Sequence, residues 1–147
     1  MPSISRYIYV INRCAGMYRA EHLQESDLGQ IHHRYLFSVC RHPGISQEEL
    51  ARHVYISKSN VTRHLSYLES CGYVERRQSE EDKRVMLVYP TEKAYEVLPF
   101  LRTLVHGWSD AITEELSPEE QELFHDILKR VAQKAASLVD KKALEGE

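Results

Sequence analysis

Between Ile45 and Tyr89 the spacing of apolar residues switches from three-and-four to two, and this switch constrains the chain more than any other feature. Ser46 and Glu49 form a capping box, in which each side chain satisfies a backbone N–H at a helix start, with Ile45 and Leu50 at the hydrophobic-staple positions. A short helix is predicted from there to about Val54. Ser57 is a second N-cap, Val61, Leu65 and Leu68 make one apolar face, and Gly72 supplies the C′ residue. Two such helices joined by a turn of about three or four residues have the geometry of a helix-turn-helix. Tyr73–Arg77 and Val85–Tyr89 then read as two strands around a charged loop, Gln78–Arg84, which makes a β-hairpin with a polar tip.

Amphipathic helices flank this segment. Ile4, Ile8, Ile11, Ala15 and Tyr18 mark a first helix, and Leu28, Ile31, Tyr35, Leu36 and Val39 a second that stops at His42-Pro43-Gly44. After the hairpin, Thr91 is read as the cap of a helix reaching about Leu116, kinked at Pro99 and burying Ala94, Val97, Leu98, Leu101, Val105 and Trp108. Ser117, Pro118 and Glu120 take N-cap, N1 and N3 of a last helix whose stripe is Leu123, Phe124, Ile127, Leu128, Val131, Ala135 and Leu138. The fold class is therefore mainly α with a small β-hairpin wing. The terminal stripes are more than a three-helix core and a hairpin can cover, which predicts a homodimer.

At 147 residues with 42% hydrophobic content the chain can bury a core of its own. The amino terminus lacks a signal-peptide pattern and nowhere do ~18 apolar residues run together, so a cytoplasmic location with no membrane partner is the expectation. The net charge of −3 does not advertise a nucleic-acid binder, but its distribution is uneven. Arg52–Arg84 holds seven Lys and Arg against five Asp and Glu, whereas Val85–Glu147 holds seven against twelve.

Removing the apolar stripe from the fourth helix leaves Lys58, Ser59, Asn60, Thr62, Arg63, Ser66 and Tyr67 facing outward, with Ser57 at its start. Arg can hold guanine O6 and N7 with two hydrogen bonds, Asn can do the same for adenine, and Ser, Thr and Lys reach phosphates. Any helix needs a solvated face, but no acid occurs between Lys58 and Leu68, which favours DNA. In the hairpin, Arg77, Lys83 and Arg84 add cations; Arg84 suits a minor groove, with Asp82 to orient a neighbouring guanidinium. A charged tip is also ordinary protection of an edge hairpin against strand pairing.

Together Ser-Gln-Glu-Glu-Leu-Ala, Ser-Lys-Ser-Asn-Val-Thr-Arg-His-Leu, Leu-Glu-Ser-Cys-Gly-Tyr-Val-Glu-Arg-Arg and Asp-Lys-Arg, all between Ile45 and Tyr89, resemble the core of the MarR (multiple antibiotic resistance regulator) family. The resemblance implies one MarR-like unit over 1–147, with residues 28–90 as the winged helix-turn-helix and 1–24 and 91–147 as dimerisation helices. It implies a sequence-specific regulator, a dimeric repressor released by a small-molecule effector, with the fourth helix in the major groove and Arg84 in the minor groove. Reading heads one DNA turn, roughly 34 Å, apart imply a pseudo-palindromic operator. Many family members bind aromatic effectors, for which Tyr35 and Trp108 are the first candidates here. Where the family often carries Leu-Thr-x-x-Gly after the second wing strand, this chain has Tyr89-Pro90-Thr91-Glu92-Lys93-Ala94.

Zinc-sensing and peroxide-sensing branches of the family set the alternatives. Zinc would call on His32 or His33 with His106 and Asp110, yet no HxxxH pair or Cys/His cluster is present, and no metal or cofactor is expected. Cys14, Cys40 and Cys71 are read as buried or reduced thiols, and Cys14, beside Ala15 with only Arg13 as a nearby cation, as structural. An enzyme would need a nucleophile with a base, paired acids or a phosphate loop, and none is visible. A winged helix used only for protein assembly has no need of an acid-free polar helix face beside a cationic hairpin tip.

Overall fold

Helix ends fall where the backbone groups left over at each terminus find partners. A computed structural model describes residues 3–139, in the order α1 (Ile4–His22), α2 (His32–Arg41), β1 (Ile45–Ser46), α3 (Gln47–Val54), α4 (Lys58–Ser70), β2 (Val74–Gln78), β3 (Met86–Pro90), α5 (Glu92–Thr113) and α6 (Pro118–Val139). Residues 140–147, the end of the expected dimerisation part, lie outside the described residues. Two compact units divide between His106 and Gly107, so that α5 begins in the first and ends in the second. Among the described residues no helix is long and apolar enough to cross a membrane.

In the first unit, Leu36, Val39, Leu50, Val61, Leu65, Leu68, Val88 and Leu101 are fully buried, joining α2, α3, α4, the sheet and α5 in one core. Ser46 Oγ accepts the Glu49 N–H at 3.1 Å, and the staple residues Ile45 and Leu50 are both buried. At the other end of α4, the Tyr73 N–H bonds the Leu68 carbonyl and the Gly72 N–H that of Glu69, with Gly72 at φ +82°. This is the paired closure that a left-handed glycine makes possible, and it turns the chain into the wing.

Five expectations are corrected. The second helix begins at His32 and not near Leu28: the Leu28 N–H goes to Ser26 Oγ and the Gly29 N–H to His32 Nδ1 at 2.8 Å, which leaves that stretch as a turn, with Leu28 buried nonetheless. The sheet has three strands, because Ile45 and Ser46 pair antiparallel with Val88 and Leu87 to give the order β1-β3-β2; both wing strands also sit one residue later than expected. Gly44 at φ +85° admits β1, its N–H bonding the Val88 carbonyl at 2.8 Å. Ser57 occupies the N-cap position of α4 without capping it, its Oγ lying 3.4 Å from Ser59 Oγ. The Thr91 hydroxyl donates to the Gly72 and Tyr73 carbonyls, at 2.6 and 3.0 Å, and so ties the start of α5 to the base of the wing. Finally, α5 runs through Pro99 to Thr113, short of Leu116, and Leu104 joins its buried face while Val105 and Trp108 are only half-buried.

In the second unit, α6 opens with the reciprocal capping box expected of it: the Ser117 N–H donates to Glu120 Oε2 at 2.8 Å and the Glu120 N–H to Ser117 Oγ at 3.2 Å. No residue of α6 is buried; Leu123 is 60% exposed, and Phe124, Ile127, Leu128 and Val131 are exposed with it. The outer end of α1 is bare in the same way, with Ile4 63% exposed beside Ile8 and Ile11.

Candidate nucleic-acid interface

α4 separates its residues by period alone. Val61, Leu65 and Leu68 are fully buried, which leaves Lys58, Ser59, Asn60, Thr62, Arg63, Ser66 and Tyr67 exposed and Ser57 half-buried at the start. Within that face Arg63 Nη2 donates to Asn60 Oδ1 at 3.1 Å, so the guanidinium and the amide present one joint edge of donors. Lys58 Nζ lies 3.4 Å from Glu48 Oε1 on α3, and Arg52 approaches the same carboxylate at 3.7 Å. All three side chains are about half exposed, so these pairs are weak and yield readily to a phosphate.

The hairpin presents a second cation. Asp82 holds Arg84 with two parallel bonds, Nε to Oδ1 at 3.1 Å and Nη2 to Oδ2 at 3.0 Å, while also accepting the Arg84 N–H. The Arg84 side chain nevertheless stays 90% exposed, aimed outward from the tip. Hydrogen bonding to Asp82 raises the Arg84 pKa further and holds the Asp82 carboxyl below its usual range. Arg77 lies over the Tyr89 ring at 4.6 Å and pairs with Glu75, and Lys83 is exposed.

Several groups behind this face are invisible to sequence reasoning. His32 Nδ1 accepts the Gly29 N–H, so its proton sits on Nε2 and is donated to His64 Nδ1 at 3.3 Å. The His32 ring also stacks on Tyr67, with centroids 5.2 Å apart. Burial pushes His32 down to about 4, with His64 adding to the effect and Asp27 opposing it. His33 also falls to about 4, through burial first and then Arg19 and Arg34, while its Nδ1–H donates to the Gln30 carbonyl at 3.1 Å. Asp27 gathers three elements: its carbonyl accepts the Tyr67 hydroxyl at 2.5 Å, and its carboxylate accepts Tyr73 at 2.6 Å and Lys93 at 3.0 Å. Tyr67 is thus anchored at its hydroxyl while its ring flank remains exposed. Arg76, which the sequence shows only as a strand residue, reaches Glu69, Ser66 and Gln47.

Of the effector candidates, Tyr35 is fully buried in the first unit and its hydroxyl has no hydrogen-bond partner among the described residues, whereas Trp108 belongs to the second unit and is half-buried. All three cysteines are free thiols, and Cys14 is exposed on α1 while Cys40 and Cys71 are half-buried. Among the described residues no three His, Cys, Asp or Glu side chains come together as a metal site.

Residues 26–85 match the MarR family. The chain is 28% identical over 131 residues to the HTH-type transcriptional regulator YybA of Bacillus subtilis, covering 89% of this chain and 87% of the relative. It is 30% identical over 109 residues to the HTH-type transcriptional regulator BilQ of Clostridium symbiosum, covering 74% and 76%. A MarR family transcriptional regulator from Listeria monocytogenes, solved in complex with a 26mer DNA, superposes with a TM-score of 0.85 at 27% identity, covering 97% of this chain and 96% of that one.

Proposed function

This chain belongs to the MarR family of winged helix-turn-helix transcriptional regulators, and we propose that it is a homodimeric repressor that occupies a pseudo-palindromic operator and is released by a small aromatic effector. The observation that carries the DNA reading is the pairing of an exposed, acid-free α4 face with an outward Arg84 whose carboxylate partner fixes its direction. Lys58, Ser59, Asn60 and Arg63 enter the major groove, with Ser57, Thr62, Ser66 and Tyr67 beside them, and Arg77, Lys83 and Arg84 follow the backbone into the minor groove. Residues 28–90 form the reading head, and the bare apolar stripes of α1 and α6 hold two copies together, since stripes of this size are seldom left to water. Repression is by occupancy: an effector favouring one spacing of the heads lowers affinity by its differential binding. Tyr35 and Trp108 are the residues first tested for the effector.

The test is fluorescence anisotropy with the DNA upstream of the chain's own gene, across a salt series and against scrambled competitor, beside light scattering. A dimer that resists competitor and weakens as salt rises is expected. Arg84→Ala should weaken binding about ten-fold or more, and Arg63→Ala should also relax base preference. Wild-type affinity in both variants, or a monomer at micromolar concentration, overturns the reading.

A further inference from the structure

The wing and the recognition helix are joined by one side chain. Arg76 lies midway along β2, paired with Val88, and its side chain is only 17% exposed. Its guanidinium donates to Glu69 Oε1 from Nη2 at 3.1 Å and from Nε at 3.4 Å, to Ser66 Oγ from Nη2 at 3.1 Å, and to Gln47 Oε1 from Nη1 at 3.4 Å. Its backbone N–H, which on this edge strand has no ladder partner outward, is taken by Glu69 Oε2 at 2.8 Å. Glu69 therefore grips one wing residue by main chain and side chain at once. Gln47, the first residue of α3, completes the ring by donating from Nε2 to Thr62 Oγ1 at 3.4 Å.

This arrangement divides the outward face of α4. The Thr62 hydroxyl donates to the Lys58 carbonyl at 3.0 Å and the Ser66 hydroxyl to the Thr62 carbonyl at 2.9 Å. A hydroxyl has one proton, so both are in use within the helix, and an oxygen lone pair on each faces Gln47 or Arg76. Thr62 and Ser66 are thus sockets for the clamp, whereas Lys58, Ser59, Asn60 and Arg63 are left to read. From Arg76 the ladder continues outward through Arg77 with Leu87 and Gln78 with Met86, then Ser79 N–H to the Val85 carbonyl and Val85 N–H to that of Asp82. The strand that Glu69 holds at Arg76 thus runs, paired with β3, to the turn whose Asp82 orients Arg84.

We propose that Arg76, held by Glu69 and Gln47, is a positioning residue that fixes the wing against α4, so that Arg84 and the recognition helix engage DNA as one rigid body. The proposal rests on the DNA reading above. With the clamp intact, a helix seated in the major groove delivers Arg84 to the adjacent minor groove without further ordering. Without it the hairpin swings about its base near Val74, and Arg84 contributes only after the wing is ordered afresh.

A double-mutant cycle on the full chain tests this, with dissociation constants for operator DNA measured by anisotropy. In the wild-type background Arg84→Ala should weaken binding about ten-fold or more; in the Arg76→Ala background its effect should shrink to less than about three-fold. Arg63→Ala should keep its full factor in both backgrounds, which separates loss of wing positioning from general damage to the fold. Arg76→Lys, which retains one charged bond to Glu69, should restore part of the Arg84 factor. Equal Arg84 factors in the two backgrounds overturn the clamp while leaving the DNA reading in place. Should Arg76→Ala fail to fold by circular dichroism, Glu69→Gln takes its role in the same cycle with the same two outcomes. Absence of sequence-specific binding by the wild-type chain brings down both proposals.

Discussion

Tyr35→Phe should stabilise the protein. The side chain is fully buried, its ring edge-on to His32 and tilted against His64, and its hydroxyl has no hydrogen-bond partner among the described residues. An unpaired buried hydroxyl costs about 1–3 kcal/mol relative to its hydrated state in the unfolded chain. Removing the oxygen leaves a space of roughly 12 Å³, which at about 24 cal/mol per Å³ costs ~0.3 kcal/mol. The balance is a gain of about 0.7–2.7 kcal/mol, each kcal/mol raising Tm by roughly 2–4 °C for a chain of this size. Urea unfolding by circular dichroism at pH 7.5 and fixed protein concentration reads the same gain as a later midpoint at unchanged slope. Burial also pushes the Tyr35 phenol up to about 12. Its folded pKa lies above the unfolded value, so the wild type loses stability as pH rises from about 10 toward 12, a loss the variant does not share. The gap between the two proteins should therefore widen above pH 10. A variant less stable than wild type at pH 7.5, with no widening in base, would show that the hydroxyl is bonded in solution and would refute the reasoning.

Three further outcomes follow from the structure. His32 and His33 are held neutral by burial, their pKa values lowered to about 4, so stability is complete above about 6.5 and falls as pH drops from there toward 4. Urea midpoints at pH 7, 5.5 and 4.5 should decline with a slope of up to ~1.4 kcal/mol per pH unit for each proton, and a flat profile contradicts the assignment. Gly44→Ala combines a left-handed φ of +85° with a Cβ 3.2 Å from the Tyr89 ring, and should cost about 1–3 kcal/mol by thermal unfolding; a neutral result would mean that β1 is not formed. Ser117→Ala removes the acceptor for the Glu120 N–H and should cost about 1 kcal/mol, checked by thermal unfolding against Ser137→Ala, whose hydroxyl donates to the Lys134 carbonyl and caps no helix start.

The parts of the fold legible in the sequence are those set by neighbours along the chain. Val61, Leu65 and Leu68 recur at helical spacing and are all buried; Gly72 ends α4 in the left-handed conformation expected of it; Ser117 and Glu120 satisfy each other across one turn. What was misread depends on partners far away. Ile45 and Ser46 read locally as a staple and a cap, which they are, but their pairing with Val88 and Leu87 is decided by residues more than forty positions later. Thr91 has the chemistry of a helix cap, yet its hydroxyl donates to the Gly72 and Tyr73 carbonyls at the wing base, the latter also accepting the Thr91 N–H. Leu28 and Ile31 continue the stripe of α2, but Gly29 has little helix propensity and its N–H finds the His32 ring instead.

The candidate site divides along the same line. Its outward residues follow by subtraction, since a buried face defines its opposite, and the Asp82–Arg84 pair lies only two residues apart in the hairpin tip. The residues that stiffen the site carry no such mark. Glu69 is the acid that bounds the acid-free face of α4, and composition alone counts it against DNA binding. The structure turns it to Arg76; partial burial, the largest single influence, pushes its carboxyl up, but the side-chain and backbone hydrogen bonds and the charge of Arg76 together hold it below the usual range. Glu48 is turned in the same way to Lys58 and Arg52. Glu48 and Asp82 each anchor a cation of the interface, and Glu69 anchors Arg76, so a net charge of −3 says little about the field a phosphate meets. What governs binding on this reading is which carboxylates release their partners: the half-exposed Glu48 pairs give way to DNA, whereas the Arg76 clamp, shielded between α4 and β2, stays closed and carries the wing with it.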